Sequence, residues 1–446
     1  MQIRKKGMLV AVAAATVALV ATFVAPAANA GTSSAACANV GSGYAVQKGA
    51  SVEVFTSVIQ PELQHYIDAS KSFTACTGIT INWNGSNDFE SQLPVRVAGG
   101  TAPDLALIPQ PGLIQAMVAT GKAVPAPSQT VANVNRYWSK GWKGYGTVNG
   151  KFYAAPNSAN MKSLVWYSPK QFAKDGYTVP TTWDQMIAQS DKMAAAGQTA
   201  WCGGLGSGTA TGWPATDWLE EVVLRTAGAK TYADWISHKV KFSDAPIIKA
   251  MNTVWGWMGN PKYVGTVSTI ATTTFQNAGQ GIPSGKCMQL QQASFYATQF
   301  PAGVTVAPGG DVWAYYLPTI NPAVTTPVEG GGEFYLAFNA NKATQEVQNY
   351  FSSPQWPENL IPAYGAAGGW VSANSGVPLS VYKQPIDQLS AKYLSDPSST
   401  FVFDASDAMP ASVGAGTEWT DLTNWFANGT SAAKIAAQID DSWPTN

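Results

Sequence analysis

Side chains that could do covalent chemistry are few in this chain and poorly arranged for it. No G-x-S-x-G stretch lifts a serine onto a strand-to-helix elbow, no H-E-x-x-H pair offers zinc ligands, and no Walker loop offers a phosphate cradle. Ser431-Ala432-Ala433-Lys434 has the S-x-x-K spacing of an acyl-enzyme centre. No K-T-G run accompanies it, so it reads as the capped start of a surface helix. The run Gly203-Gly204-Leu205-Gly206-Ser207-Gly208 lacks dinucleotide spacing. His65 and His238 are the only imidazoles, and no C-x-x-C pair stands near either, which argues against zinc. The 27 acidic residues allow many carboxylate pairs for glycoside hydrolysis, but sequence brings no two to the required separation. No catalytic residue, metal ligand or cofactor is expected.

Non-covalent chemistry is better represented. The chain has 17 tryptophans, and several stand beside Gly, Pro or polar residues instead of inside apolar runs: Trp213 before Pro214, Trp370 after Gly368-Gly369, and Trp419 after Glu418. A sugar presents C–H patches on one face and hydroxyls around its rim. Flat rings match the first, and carboxylates and amides match the second. One such tryptophan is more simply a core residue; the set points to a carbohydrate cleft.

The elements that would position these residues form a large folded chain. Its 446 residues allow two or three domains, and with 46% hydrophobic and 12% charged residues the chain can bury a sizeable core. Arg4-Lys5-Lys6, an apolar run to Pro26 and Ala28-Asn29-Ala30 form a cleavable export signal over 1–30, with Gly31 the mature start. Removing it leaves a mildly acidic protein with no electrostatic footprint for nucleic acid or an anionic membrane, so a neutral partner is expected. Ser34-Ala35-Ala36-Cys37 offers the alternative of a lipid anchor at Cys37, though without the usual Leu. Four cysteines in an exported chain imply two disulfides, with three pairings open.

A flexible segment is expected over 31–44. From Val52 the pattern reads strand (Val52–Phe55), helix (from Pro61 to Gly78), strand (Ile79–Trp83), helix (Phe89–Val97) and strand (Leu105–Ile108). Alternation of this kind predicts an α/β unit with a largely parallel sheet and ligands at the carboxyl ends of its strands. Helices are expected at Trp183–Ala196, Asp217–Ala227, Pro246–Met258 and near the carboxyl terminus, and a strand at Phe334–Phe338. There is no internal repeat and no second membrane-length apolar stretch.

From about Val52 to Trp443 the chain resembles the extracellular solute-binding proteins of bacterial sugar ABC transporters, in the branch associated with α-glucosides. The resemblance rests on Gly85-Ser86-Asn87-Asp88-Phe89-Glu90-Ser91-Gln92-Leu93, Gly99-Gly100-Thr101-Ala102-Pro103-Asp104-Leu105 and Pro109-Gln110-Pro111-Gly112. It continues through Lys162-Ser163-Leu164-Val165-Trp166-Tyr167, Pro180-Thr181-Thr182-Trp183-Asp184, Ala210 to Trp218, Gln292-Ala293-Ser294-Phe295 and Phe403 to Pro410. It implies an α/β, two-lobed periplasmic-binding-protein (flytrap) fold, with the lobes joined by three chain crossings. The first lobe would take 45–157 and 328–370, and the second 158–327 and 371–446. It also implies a Cys202–Cys287 pair, leaving Cys37 with Cys76.

Carried over position by position, the resemblance implies first-lobe contacts to sugar from Ser57, Ser86, Asp88 and Gln110, and crossing contacts from Asn160, Lys162 and Glu333. The second lobe would add Thr211, Trp213, Gln292, Phe295, Asp404 and Trp419. Trp419, Phe295 and Trp370 are the stacking candidates. Gln291 stands where relatives have a basic residue and Asn160 where they have an acid, so both are expected to remove charge from the cleft. The implied function is capture of an α-glucoside-type oligosaccharide outside the cytoplasm by a monomer that hands it to a membrane permease. A secreted glycoside hydrolase, or a binder of another solute such as a polyamine with a densely charged cleft, are the alternatives.

Overall fold

The computed structural model describes residues 37–396 and 398–445; the export signal and its cleavage site lie outside them. The first lobe is built on a five-stranded sheet in the order Thr80–Gly85, Ser51–Thr56, Leu105–Ile108, Phe334–Ala337, Ala154–Pro156. The first three strands are parallel, and Phe334–Ala337 runs against both of its neighbours. Alternation along the strands sorts their side chains onto two faces. Val52, Val54, Leu105, Leu107 and Tyr335 pack with Tyr66 and Phe73 of helix Leu63–Thr77 and with Trp356. Phe55, Ala106, Ile108, Phe334 and Leu336 pack on the other side against Leu93 of helix Phe89–Ala98 and Ile114 of helix Pro111–Ala119. Each such fully buried side chain contributes about 1.5–3 kcal/mol, so covering both faces fixes the strand ends in space.

The second lobe has a largely helical core around Trp183, Trp201, Trp218, Trp235 and Trp257. Helix Trp183–Ala195 starts where the Thr182 hydroxyl accepts a hydrogen bond from the Gln185 amide. The helix expected from Asp217 begins earlier, at Trp213, and runs to Ile236 with a break at Gly228. Pro214 sits in its first turn, where a missing N–H costs nothing. A small antiparallel sheet, Trp313–Tyr316, Leu164–Tyr167 and Gln289–Gln291, borders this core.

The three connections between the lobes meet in a sheet of their own. Pro327–Gly331 is flanked by Thr400–Phe403, parallel, and by Asn160–Met161, antiparallel. Across it the Lys162 amide donates to Glu329 O at 2.9 Å and the Asp404 amide to Gly330 O at 2.8 Å. Two expectations shift. Val371, Val377 and Tyr382 pack inside the first lobe's core, so the chain stays with that lobe beyond residue 370. The third passage runs through helix Pro385–Ser395 and strand Thr400–Phe403. Within 37–44, expected to be flexible, Val40 is fully buried and Cys37 is bonded to Cys76, while Ala38, Asn39, Ser42 and Gly43 are exposed. The second bridge is Cys202–Cys287.

Candidate ligand-binding cleft

A cleft of about 160 Å³ lies between the lobes, beside the crossing sheet. The strand ends of the first lobe aim their following loops into it. Ser57 follows Ser51–Thr56, Gln110 follows Leu105–Ile108, and Glu90 stands in the first turn of the helix after Thr80–Gly85. Asn160, Lys162 and Glu333 come from the crossings, and Asp404 and Asp407 from the turn after the third. Trp213, Phe275, Phe295 and Trp419 form the second-lobe wall. Gly212 makes part of that wall possible: it has φ 119°, and a Cβ there would lie 2.2 Å from Trp419 O.

Three rings of this wall lean on one another at steep angles. Trp213 and Phe275 have centroids 5.1 Å apart, Trp213 and Phe295 6.0 Å, and Phe275 and Phe295 6.4 Å. Trp419 Nε1 has no hydrogen-bond partner among the described residues. On the facing wall Gln110 Nε2 donates to Glu90 Oε1 at 3.2 Å, while Gln110 Oε1 and Glu90 Oε2 are buried without partners. Glu90, Gln110 and Trp419 all line the cleft, so these atoms are the ones a ligand there could satisfy.

Beneath the rings lies a charged network. Lys162 Nζ donates to Asp217 Oδ1 at 2.7 Å and also to Asp404 Oδ2, and all three side chains are buried. Burial would lower the lysine pKa, but Asp217, Asp404, Asp407 and Glu329 together hold it well above the ordinary value. Burial pushes the Asp217 carboxyl up to about 7 against the pull of Lys162. Asp217, Glu329 and Asp404 bring carboxylate oxygens within 4.8 Å of one another, a spacing a metal ion could bridge. The tethered ammonium supplies the positive charge there. In the first lobe, burial lifts Glu62 and Glu90 to about 7 each, and it also raises Glu333.

The lobes touch at the mouth of the cleft. The Thr209 amide donates to Asn87 O at 3.2 Å, and a Cβ on Gly112 would fall 1.9 Å from Met409 O. Gly112 belongs to the first lobe and Met409 to the second, so the absence of a side chain sets how far the two can close.

A family model described as bacterial extracellular solute-binding protein matches residues 56–356, more than half of the chain. The chain belongs to that family. Two curated relatives of this solute-binding protein match over most of both chains. It is 32% identical to the osmoprotective compounds-binding protein GgtB of a Synechocystis species, covering 88% of this chain and 92% of that one. It is 34% identical to the alpha-glucosides-binding periplasmic protein AglE of Rhizobium meliloti, covering 83% and 82%. Among solved structures, the bacterial solute receptor AcbH, described as preferring β-D-galactopyranose, superposes with a TM-score of 0.76 at 17% identity. That match covers 88% of this chain and 98% of the other, and it establishes the two-lobed fold.

Of the residues expected at the site, Ser57, Gln110, Asn160, Lys162, Trp213, Phe295, Glu333, Asp404 and Trp419 line the cleft. Five do not. Trp370 is 2% exposed in the first lobe's core, and its Nε1 donates to the Tyr66 hydroxyl at 3.1 Å. Gln292 Oε1 accepts from the Ala293 amide, and the Thr211 hydroxyl braces the glycine-rich loop by donating to Gly208 O. The Ser86 hydroxyl accepts from the Asp88 amide, and Asp88 itself is exposed outside the cleft. Gln291 leaves the cleft's charge unaffected, because it is buried with Nε2 donating to Lys162 O.

Sequence reading missed Glu62, Glu90, Phe275 and Asp407, and with them the acid-rich lining. Glu90 and Asp407 lie inside stretches that carried the family resemblance, so their motif was the available signal. Phe275 had none.

Proposed function

We propose that this protein is the extracytoplasmic binding component of an ABC importer. It holds an α-glucoside-type di- or oligosaccharide between its lobes and passes it unchanged to a membrane permease. The observation that carries this reading is the pairing of two unlike walls across one cleft. Trp213, Phe275 and Phe295 offer rings to C–H faces, and Glu90 Oε2 and Gln110 Oε1 offer acceptors to hydroxyls. The name of AglE, an alpha-glucosides-binding protein, supports an α-glucoside as the solute.

Closure would bring the walls together by bending at the crossing sheet, a hinge transition of the kind periplasmic binding proteins use. The bodies that move would be 45–157 with 328–370 and the following stretch to Tyr382, against the rest. Buried acceptors that meet the right hydroxyls give selectivity, since an analogue lacking one leaves its partner unpaired. Export as a soluble monomer fits the Cys37–Cys76 bridge, which occupies the sulfur a lipid anchor would need. Among the described residues no helix is long and apolar enough to cross a membrane.

The acid-lined first-lobe wall favours a second reading, a cationic solute such as a polyamine. A thermal-shift screen across maltose, trehalose, amino acids and putrescine separates the two, because a ligand bound to the folded state alone raises Tm. The sugar reading expects an α-linked glucose disaccharide to stabilise the protein. A response to putrescine with none to any sugar would replace it with the second. Release of glucose from maltose or trehalose would convert the protein into a hydrolase.

A further inference from the structure

The carboxyls around the cleft differ in their partners. In the second lobe and the crossings, Lys162 reaches Asp217 and Asp404 and Arg225 pairs with Glu221, while Glu220, Glu329, Glu418 and the cleft-lining Asp407 form no ion pair among the described residues. Those facing the cleft from the first lobe and the second crossing, Glu62, Glu90 and Glu333, have none. Lys162 is the one basic side chain among the lining residues, and its ammonium is already committed. The three acids have neutral partners: Glu62 accepts from the Tyr364 hydroxyl at 2.7 Å, Glu90 from Gln110, and Glu333 from Ser158 and Asn157. All three are partly buried; a carboxyl desolvated without a counter-cation is costly when ionised, and Glu62 and Glu333 further oppose each other's charge.

Two polar atoms of this wall have no protein partner among the described residues. Gln110 Oε1 accepts and does not donate, its orientation following from Nε2 donating to Glu90, and Glu90 Oε2 accepts when that carboxyl is ionised. Gln110 is 3% exposed, so what meets its oxygen must come from within the cleft. An ammonium group is a pure donor with up to three N–H bonds, whereas a hydroxyl brings an acceptor that also needs a partner. Across the cleft, the steeply inclined rings of Trp213, Phe275 and Phe295 suit a cation, and Trp213 already has the Lys162 ammonium 5.6 Å from its centroid.

We propose that the first-lobe wall of the cleft, Glu62, Glu90, Gln110 and Glu333, is a subsite for a protonated nitrogen on the sugar. The preferred ligand is then an amino-substituted glycoside in place of a neutral one. This rests on the oligosaccharide reading and narrows its substrate class. The bound ammonium would serve as the missing counter-ion and hold Glu62 and Glu90 ionised at neutral pH.

The test is titration calorimetry at neutral pH with the mature chain. The probes are trehalose, maltose and a panel of their derivatives carrying one amino group at each hydroxyl-bearing carbon in turn. At least one amino derivative should bind roughly tenfold or more tightly than its parent, about 1.4 kcal/mol. High salt should shrink that ratio, and Glu62→Gln and Glu90→Gln should each bring it towards one. Because the ratio compares two sugars on one protein, a general loss of folded material does not mimic the effect. If the neutral disaccharides bind and no amino derivative gains over its parent, this proposal fails and the sugar-binding reading stands. If neither class binds, both fail.

Discussion

The two walls of the cleft are built from different material for a shared purpose. The first-lobe wall hangs on loops that follow parallel strands, and it is polar: Ser57, Glu62, Glu90 and Gln110. The second-lobe wall comes from a glycine-rich turn, short helices and the start of helix Trp419–Asn428, and it is aromatic. A sheet edge presents hydrogen-bonding groups in fixed register, which suits hydroxyl recognition. A helical lobe can bring together rings that lie far apart in sequence, which suits stacking. Neither wall alone complements a sugar; the crossing sheet that sets their distance is as much a part of the site as either.

The largest effect should come from the floor they share. Lys162→Met leaves Asp217 and Asp404 buried without their cation, and unfolding by denaturant should show a loss of roughly 3–5 kcal/mol. A loss below 1 kcal/mol would mean the network is not needed to hold the walls apart. Next, Trp213→Ala should weaken sugar binding by roughly 1.5–3 kcal/mol in calorimetry, about ten- to a hundredfold. Gly112→Ala places a Cβ against Met409 O and should oppose closure by roughly 1–3 kcal/mol. Affinity would fall, and small-angle scattering with saturating sugar would report a more open particle. Gln110→Leu removes one open acceptor and should cost about 1 kcal/mol in binding. If it cost more than Trp213→Ala, the polar wall would outrank the aromatic one.

The smallest effect concerns pH. The carboxyls of Glu62 and Glu90 are raised by burial to about 7 in the folded protein, well above their unfolded values. The folded state therefore holds those protons more tightly. Their contribution is fully present below the unfolded pKa and is lost as pH rises through the folded one. Thermal unfolding of the ligand-free protein should show Tm declining between about pH 4.5 and 7, with a shallower slope in Glu62→Gln and Glu90→Gln.

Much of this was legible in the sequence where local pattern and three-dimensional placement coincide. The strand–helix alternation from Val52 to Ile108 announced the first lobe, and strand ends located Ser57 and Gln110, because a strand's carboxyl end fixes where its next residue goes. Trp370 shows why the rest was not legible. A tryptophan beside two glycines looks available for stacking, but whether it faces a cleft or a core depends on Tyr66, three hundred residues away. The acid-rich lining was hidden for the same reason. Glu333 was expected there, but Glu62, Glu90 and Asp407 are ordinary charged residues until the fold brings them to one cleft. The third crossing was misplaced because glycines mark a turn without saying which lobe follows it.

On the proposed function, the cleft captures an α-linked sugar and returns it intact. Titration calorimetry of the mature chain with maltose and trehalose, followed by chromatography of the recovered sugar, tests it directly. Saturable binding with one site per chain and an unaltered disaccharide are expected. No heat from any α-linked disaccharide, amino-substituted or neutral, or the appearance of free glucose, would contradict it.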